Sequence, residues 1–202
     1  MNLFRQNTRF LISGTYETLR SGKVFHGGID DTEAWSDHGY QLGEKGKWSK
    51  AGSLWERGTH VPFIIFDPRA KGNGQASPRI VELLDIYPTL VNLCGLPQPE
   101  GLEGTSLRPL LDNPLTVWDK PAYTVWNEHG KGITGVAVRT EQWRYAEFFG
   151  AGAGAFLTDP IHDPDEFVNL VYDPEFSEVV KQLHQLASAY VAGKTELPPI
   201  QQ

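Results

Sequence analysis

Residues 36–68 read SDHGYQLGEKGKWSKAGSLWERGTHVPFIIFDP, and the change of character inside this stretch organises the whole chain. From Gly22 to Gly46 glycine, charge and aromatic residues crowd together, a composition that suits site-building loops better than core elements. His60 to Phe66 (HVPFIIF) then reads as a short buried strand closed by Asp67-Pro68, and Val81 to Leu84 as another. Asp85 is placed to cap a helix running to Cys94, with Pro88 in its first turn and Gly95 as its C-terminal stop. Residues 112–121 look like a connector. Beyond it Tyr123 to Trp126, Val136 to Thr140 and Trp143 to Phe149 have strand composition, with Glu141-Gln142 at a tight turn, so antiparallel strands are expected. Phe176, Val179, Val180, Leu183, Leu186, Ala187 and Tyr190 recur at helical spacing, which predicts an amphipathic helix packed on that sheet. GAGAGA, residues 150–155, reads as a flexible loop, and residues 1–22 are too irregular for any element.

The composition narrows the function classes. With 202 residues, 40% hydrophobic and 21% charged, the chain can bury a real core without disulfides or a structural metal. A net charge of −7, with no concentrated basic segment, sets nucleic acid aside. Apolar runs such as Val61 to Phe66 are too short to span a bilayer, and Met1 to Thr8 lacks the basic-then-apolar order of a signal peptide, so no membrane or export address is expected in this stretch. The single cysteine, Cys94, allows neither an internal disulfide nor a Cys-rich zinc site, and its place on the apolar face before Gly95 suits a small buried hydrophobe.

Two constellations could carry chemistry. Ser36-Asp37-His38-Gly39 sets a carboxylate beside an imidazole, and both Asp37 and His38 can bind a divalent cation. Lys23, His26 and Lys50 could converge on a tetrahedral oxyanion, where cations offset charge and a protonated histidine assists a leaving group. Taken alone, the same residues fit an ordinary loop turn, solvated lysines and a hydrogen-bonded structural histidine. Neither a G-x-S-x-G nor a P-loop pattern is present.

Taken together, SDHGYQLGEKGKWSKAGSLWERGTHVPFIIFDP, VELLDIYPTLVNLCGLP, LEGTSLRPLL, AVRTEQWRY and DPDEFVNL, in this order over Ser36 to Leu170, resemble the C-terminal half of a sulfatase. They are most similar to the iduronate-2-sulfatase-like and choline-sulfatase-like branch. The resemblance implies an incomplete alkaline-phosphatase-like α/β sulfatase fold with a C-terminal antiparallel sheet plus helix subdomain. It implies three parts: residues 1–35 as a remnant of the N-terminal catalytic domain, 36–115 as the C-terminal part of the α/β domain, and 116–202 as the antiparallel subdomain. It further implies a calcium-dependent sulfuric ester hydrolase acting on a sulfated sugar or similar small molecule. Asp37 and His38 would then bind Ca2+, and Lys50 would hold a sulfate oxygen. GKVFH resembles a further block whose lysine and histidine face the nucleophile and the ester, which maps to Lys23 and His26.

The sequence departs from the family pattern in three ways. The formylglycine nucleophile arises from Cys or Ser in C/S-x-P-x-R, but Cys94 is followed by Gly-Leu-Pro and Ser77-Pro78-Arg79 has the wrong spacing. The N-terminal aspartates that complete the calcium shell are missing. Only Gly27 to Trp35 lie between GKVFH and SDHG, where relatives carry core strands and a helix. The chain therefore reads as truncated and internally deleted, and as inactive by itself. A non-catalytic remnant that binds anionic sugars is the alternative. Relatives of this family are often exported or lysosomal.

Overall fold

The computed structural model describes residues 41–48, 53–127, 133–150 and 152–195, together with the strand segments 8–11, 25–26 and 29–30. It divides into two compact units, one centred on His60–Asp119, the other formed by Tyr40–Thr59 with Lys120 onward.

In the second unit the alternation of β-branched and aromatic residues produces a four-stranded antiparallel meander, β5 (Ala122–Asn127), β6 (Ile133–Arg139), β7 (Arg144–Phe148) and β8 (Gly154–Thr158). The register sorts its side chains onto two faces. Val138, Tyr145 and Leu157 stand opposite one another on one face, and Ala137, Ala146 and Phe156 on the other. Helix α4 (Ser177–Thr195) covers the first face, packing buried Leu183 and Ala187 on Val136, Val138, Tyr145 and Leu157. Tyr190 stacks on Tyr123 with ring centroids 4.1 Å apart. The His184 ring and the Tyr145 hydroxyl both bond Glu147 Oε2 at 2.8 Å, adding a polar clasp between α4 and β7. The second face takes Leu54 and the Trp55 ring, which stacks 3.9 Å from Phe156. Burial of both faces explains why β6 and β7 are almost continuously buried. The expected helix and the antiparallel strands are present. Residues 150–155 are not all loop: Gly150 and Gly152, at φ of 80° and 96°, turn the chain, and Gly154 and Ala155 already belong to β8.

In the first unit β4 (Phe63–Phe66) pairs in parallel with β1 (Thr8–Leu11), while β2 (Phe25–His26) pairs with β3 (Ile29–Asp30). The expected strand over residues 60–66 thus starts at Phe63, and it is half-buried rather than buried, with Ile64 and Phe66 each 38% exposed. Helix α2 (Ile86–Leu93) carries Pro88 within its first turn and ends on Gly95 at φ 65°. There the Leu96 N–H donates to the Val91 carbonyl and the Gly95 N–H to that of Asn92, the pairing that satisfies the last carbonyls of a helix. Two expectations fail upstream. Val81 to Leu84 is no strand, because Leu83–Asp85 forms a 3-10 turn. The Asp85 carboxylate accepts the Glu82 N–H at 2.9 Å and the Thr105 N–H at 2.6 Å, which curls the chain, so Asp85 stands at the N-cap position of α2 but its side chain makes no capping bond there. Cys94 is free and only partly buried. A short helix, α3 (Arg108–Asp112), precedes the connector.

Candidate functional site

Lys23, Asp37, His38 and Lys50 lie outside the described residues. His26 ends strand β2, paired with Ile29, and its side chain also lies outside them. No group of three or more His, Cys, Asp or Glu among the described residues is placed to hold a metal ion.

The described residues do bring together the two segments that flank Lys50. Residues 41–48 precede it and 53–59 follow it, and both are fastened to the C-terminal sheet. The fastening starts from a register row: Arg139, Arg144 and Thr158 stand side by side across β6, β7 and β8, on the same face as Ala137, Ala146 and Phe156. Two guanidinium groups directly opposite repel one another unless an acid lies between them. Glu56, at the start of helix α1 (Glu56–Thr59), supplies it. Its Oε2 accepts from Arg139 Nε at 3.1 Å and from Arg144 Nε at 3.0 Å, and Arg144 Nη2 bonds the same oxygen. Arg144, only 2% exposed, also donates Nη1 to the Leu54 carbonyl at 2.9 Å.

A second acid closes the network. Glu166 is 4% exposed and uses both carboxylate oxygens: Oε1 accepts the Thr158 hydroxyl at 3.0 Å and faces Arg144 Nε at 3.4 Å, while Oε2 accepts the Glu56 N–H at 2.7 Å. Burial pushes the Glu166 carboxyl above its ordinary range, against the pull of Arg144 and of these hydrogen bonds. The Glu166 main-chain oxygen accepts the Lys45 ammonium, which also lies 4.7 Å from the Trp55 ring centroid and 5.0 Å from that of Phe167. Lys45 and Glu166 are the two non-glycine residues with left-handed backbone among those described, at φ of 54° and 55°. Strain of this kind persists only where the surroundings over-determine it. Outside this network Lys47 sits 5.0 Å over the Trp126 ring, and Trp48 stays 71% exposed. A buried positive charge inside a strand, Arg144 in WRYAEF, is the sequence signal for this cluster, but its partners sit 88 and 22 positions away.

Residues 43–191 match the family model described as N-sulphoglucosamine sulphohydrolase, C-terminal. The chain belongs to the sulfatase family. Among curated sulfatases it is 33% identical over 160 residues to arylsulfatase K of Canis lupus familiaris, covering 74% of this chain and 29% of that protein. It is 34% identical over 153 residues to a sulfatase of Formosa agariphila, covering 75% of this chain and 28% of that one. The chain thus spans less than a third of either relative's length. Among solved structures it resembles a protein in complex with its substrate D-glucosamine-2-N,6-O-disulfate, at 26% identity and a TM-score of 0.69, over 82% of this chain and 35% of that one. It also resembles a 2-O GAG sulfatase at the same identity and TM-score, over 79% and 35%. The sheet with its covering helix is the C-terminal part of the alkaline-phosphatase-like sulfatase fold, as the motif blocks imply.

Proposed function

We propose that this chain is part of a sulfuric ester hydrolase acting on sulfated sugars, in the iduronate-2-sulfatase-like and choline-sulfatase-like branch to which its motif blocks point. The observation that carries the reading is the likeness, at 26% identity and a TM-score of 0.69, to a structure holding a glucosamine disulfate as substrate. In this reading Lys50 and Lys23 bind sulfate oxygens, where fixed cations offset the charge that builds on the leaving sulfate, and His26 holds a proton for the departing sugar oxygen. Asp37 and His38 are donors for calcium, which when bound polarises the ester. Two donors fall short of the roughly six to eight ligands that calcium takes, so the chain does not by itself furnish a complete site. It also contains no C/S-x-P-x-R. Loss of a nucleophile removes several orders of magnitude in rate, so these residues bind the ester without turning it over.

The test pairs turnover with binding. The purified chain, given 4-nitrophenyl sulfate and millimolar calcium, is expected to hydrolyse no faster than an Asp37→Ala/Lys50→Ala double variant. Glucosamine 6-sulfate, followed by saturation-transfer NMR, is expected to bind the chain with millimolar affinity and to bind Lys50→Ala more weakly. Turnover above the double variant overturns the inactive reading, and no binding at about 10 mM ligand, an affinity weaker than roughly 3 kcal/mol, overturns the sulfate site.

A further inference from the structure

We propose that the turn at residues 43–48 presents a binding face for sulfated glycans, on which Lys45 and Lys47 receive sulfate groups and the rings of Trp48 and Phe167 stack on sugar faces. The face rests on geometry, whereas the choice of a sulfated ligand rests on the function proposed above. The turn is closed by its own main chain: the Gly43 N–H donates to the Lys47 carbonyl and the Gly46 N–H to that of Gly43, each at 3.0 Å. Each lysine lies over an aromatic ring, Lys45 over Trp55, which stacks on Phe156, and Lys47 over Trp126, which meets Phe148 edge-on. The Phe148 and Phe156 centroids are 6.4 Å apart, so the two ammonium groups share one aromatic floor. A ring beneath an ammonium fixes its place and removes part of its water, which strengthens its pull on an anion. The neighbouring acids are engaged elsewhere. The Glu44 carboxylate accepts the Leu42 N–H at 2.6 Å, Asp165 pairs with Arg57 at 3.0 Å, and Lys45 bonds the main-chain oxygen of Glu166 rather than a carboxylate. Two exposed rings stand beside these cations: Phe167, 82% exposed, has Lys45 5.0 Å from its centroid, and Trp48 lies against Gly43, where a Cβ would come within 3.0 Å of the indole. This mixture selects the ligand. Nucleic acid binding draws on about six to ten phosphate contacts and an anionic membrane surface on about four to eight clustered cations, and two lysines on a chain of net charge −7 supply neither. A sulfated sugar offers what this face can hold, isolated anionic groups on a ring with flat C–H faces.

The probe is a size-defined heparin tetrasaccharide, titrated calorimetrically against the full chain at low ionic strength, where exposed charges are least screened. Trp48→Ala and Phe167→Ala are each expected to weaken binding about fivefold, as loss of a stacking ring does, and Lys47→Gln about threefold. Lys45→Gln/Lys47→Gln is expected to weaken it about tenfold or more, and the ring variants keep the test readable should loss of the Lys45 bond to Glu166 disturb the fold. Lys181→Gln, which removes an exposed charge on α4, is expected to leave the affinity unchanged. No binding by the unmutated chain overturns the proposal, and so does an equal loss in Lys181→Gln, which would mark nonspecific charge. Equal affinity for the unsulfated heparosan tetrasaccharide overturns the lysine role, and tighter binding of a DNA oligonucleotide or of phosphatidylserine vesicles overturns the choice of ligand. Self-association that Trp48→Ala abolishes would assign the rings to a second copy of the chain and overturns the face. Lys50→Ala separates this proposal from the function proposed above. Tetrasaccharide binding that survives Lys50→Ala and falls in Lys47→Gln supports the face even if glucosamine 6-sulfate does not bind. Tetrasaccharide binding that Lys50→Ala alone weakens overturns the face and leaves the proposed function standing.

Discussion

Replacing Arg144 by leucine tests the polar network most directly. The side chain is 3% exposed and makes four polar contacts: two to Glu56 Oε2, one to the Leu54 carbonyl and one at 3.4 Å to Glu166 Oε1. Removing one partner of a buried pair costs about 3–5 kcal/mol, because the other charge stays behind without compensation. Glu56 keeps Arg139 at 3.1 Å, so the stranded group is Glu166, and the loss belongs at the lower end, about 3 kcal/mol. With a urea slope of about 2 kcal/mol/M, the midpoint falls by about 1.5 M. Tryptophan fluorescence reports the transition, since Trp48, Trp55, Trp126 and Trp143 all lie in the unit built on this sheet. The mechanism makes a second demand. In Arg144→Leu, adding Glu166→Gln should restore part of the stability, because an amide costs less to bury than a lone carboxylate. A single variant that loses under about 1 kcal/mol, or a double variant no more stable than the single, refutes the account of Arg144 as the neutraliser of Glu166.

Three further outcomes are expected. Gly104→Ala should cost about 1–3 kcal/mol in a urea titration, because its added Cβ would sit 2.0 Å from the Leu84 carbonyl oxygen and 3.0 Å from the Asp85 nitrogen, both main-chain atoms with little room to yield. Thr89→Val should cost about 1–3 kcal/mol by the same assay, since the buried Thr89 hydroxyl donates to the Asp85 carbonyl and accepts the Leu107 N–H at 2.8 Å, and a methyl takes that acceptor from the buried Leu107 N–H. The Asp67 and Glu166 carboxyls should contribute to stability with opposite pH dependence, read by pulse-labelled hydrogen exchange in urea on the chain against its Asp67→Asn and Glu166→Gln variants. Hydrogen bonds from Arg69 hold the Asp67 carboxyl below its usual 3.8, so its stabilisation is present above that pH and is lost as pH falls through the lower folded value. Burial holds Glu166 above its usual 4.5, so its contribution is full below 4.5 and is lost as pH rises through the higher folded value, a dependence that Glu166→Gln should remove.

What could be read from the residues was what depends on neighbours in the chain. Leu183 and Ala187 bury one face of α4 because helical spacing alone puts them there, and Gly95 stops α2 because only the local backbone matters. Val81 to Leu84 misled because the carboxylate that bends it also binds the Thr105 N–H, 20 residues on. β8 as a whole was not read, for a similar reason: Gly154 and Ala155 carry no strand propensity, and Phe148 and Glu147 across the sheet recruit them. The candidate site divides the same way. The roles proposed for Asp37, His38, Lys23, His26 and Lys50 rest on motif blocks that resemble those of sulfatases, and their side chains lie outside the described residues. Glu56, Arg144 and Glu166 stand inside those same blocks, yet no local rule marks them, since apart from Thr158, 8 positions from Glu166, the partners that set their roles lie 22 to 121 positions away.

The Arg139–Arg144 pair explains why Tyr40–Thr59 groups with a sheet that begins some sixty residues later. Left to itself, the meander would place two guanidinium groups side by side on one face, with no acid of its own strands between them. Large residues along the neighbouring row would hold any covering segment away, but Ala137 and Ala146 keep that row low, and at Gly135 a Cβ would already come within 3.1 Å of Leu54. The Leu54 main chain can therefore approach to 2.9 Å of Arg144 Nη1, and Glu56 follows in the next position but one to meet both arginines. Small residues give access and paired arginines give the cost of leaving that access unused. Apolar contact alone would bind many segments to this face, whereas a buried and a partly buried positive charge accept only one that brings a carboxylate at the right place. The same interactions that complete the sheet thereby hold residues 53–59 through Leu54 and Glu56 and residues 41–48 through Lys45, so the stability of the C-terminal unit and the order of these two stretches depend on one set of side chains.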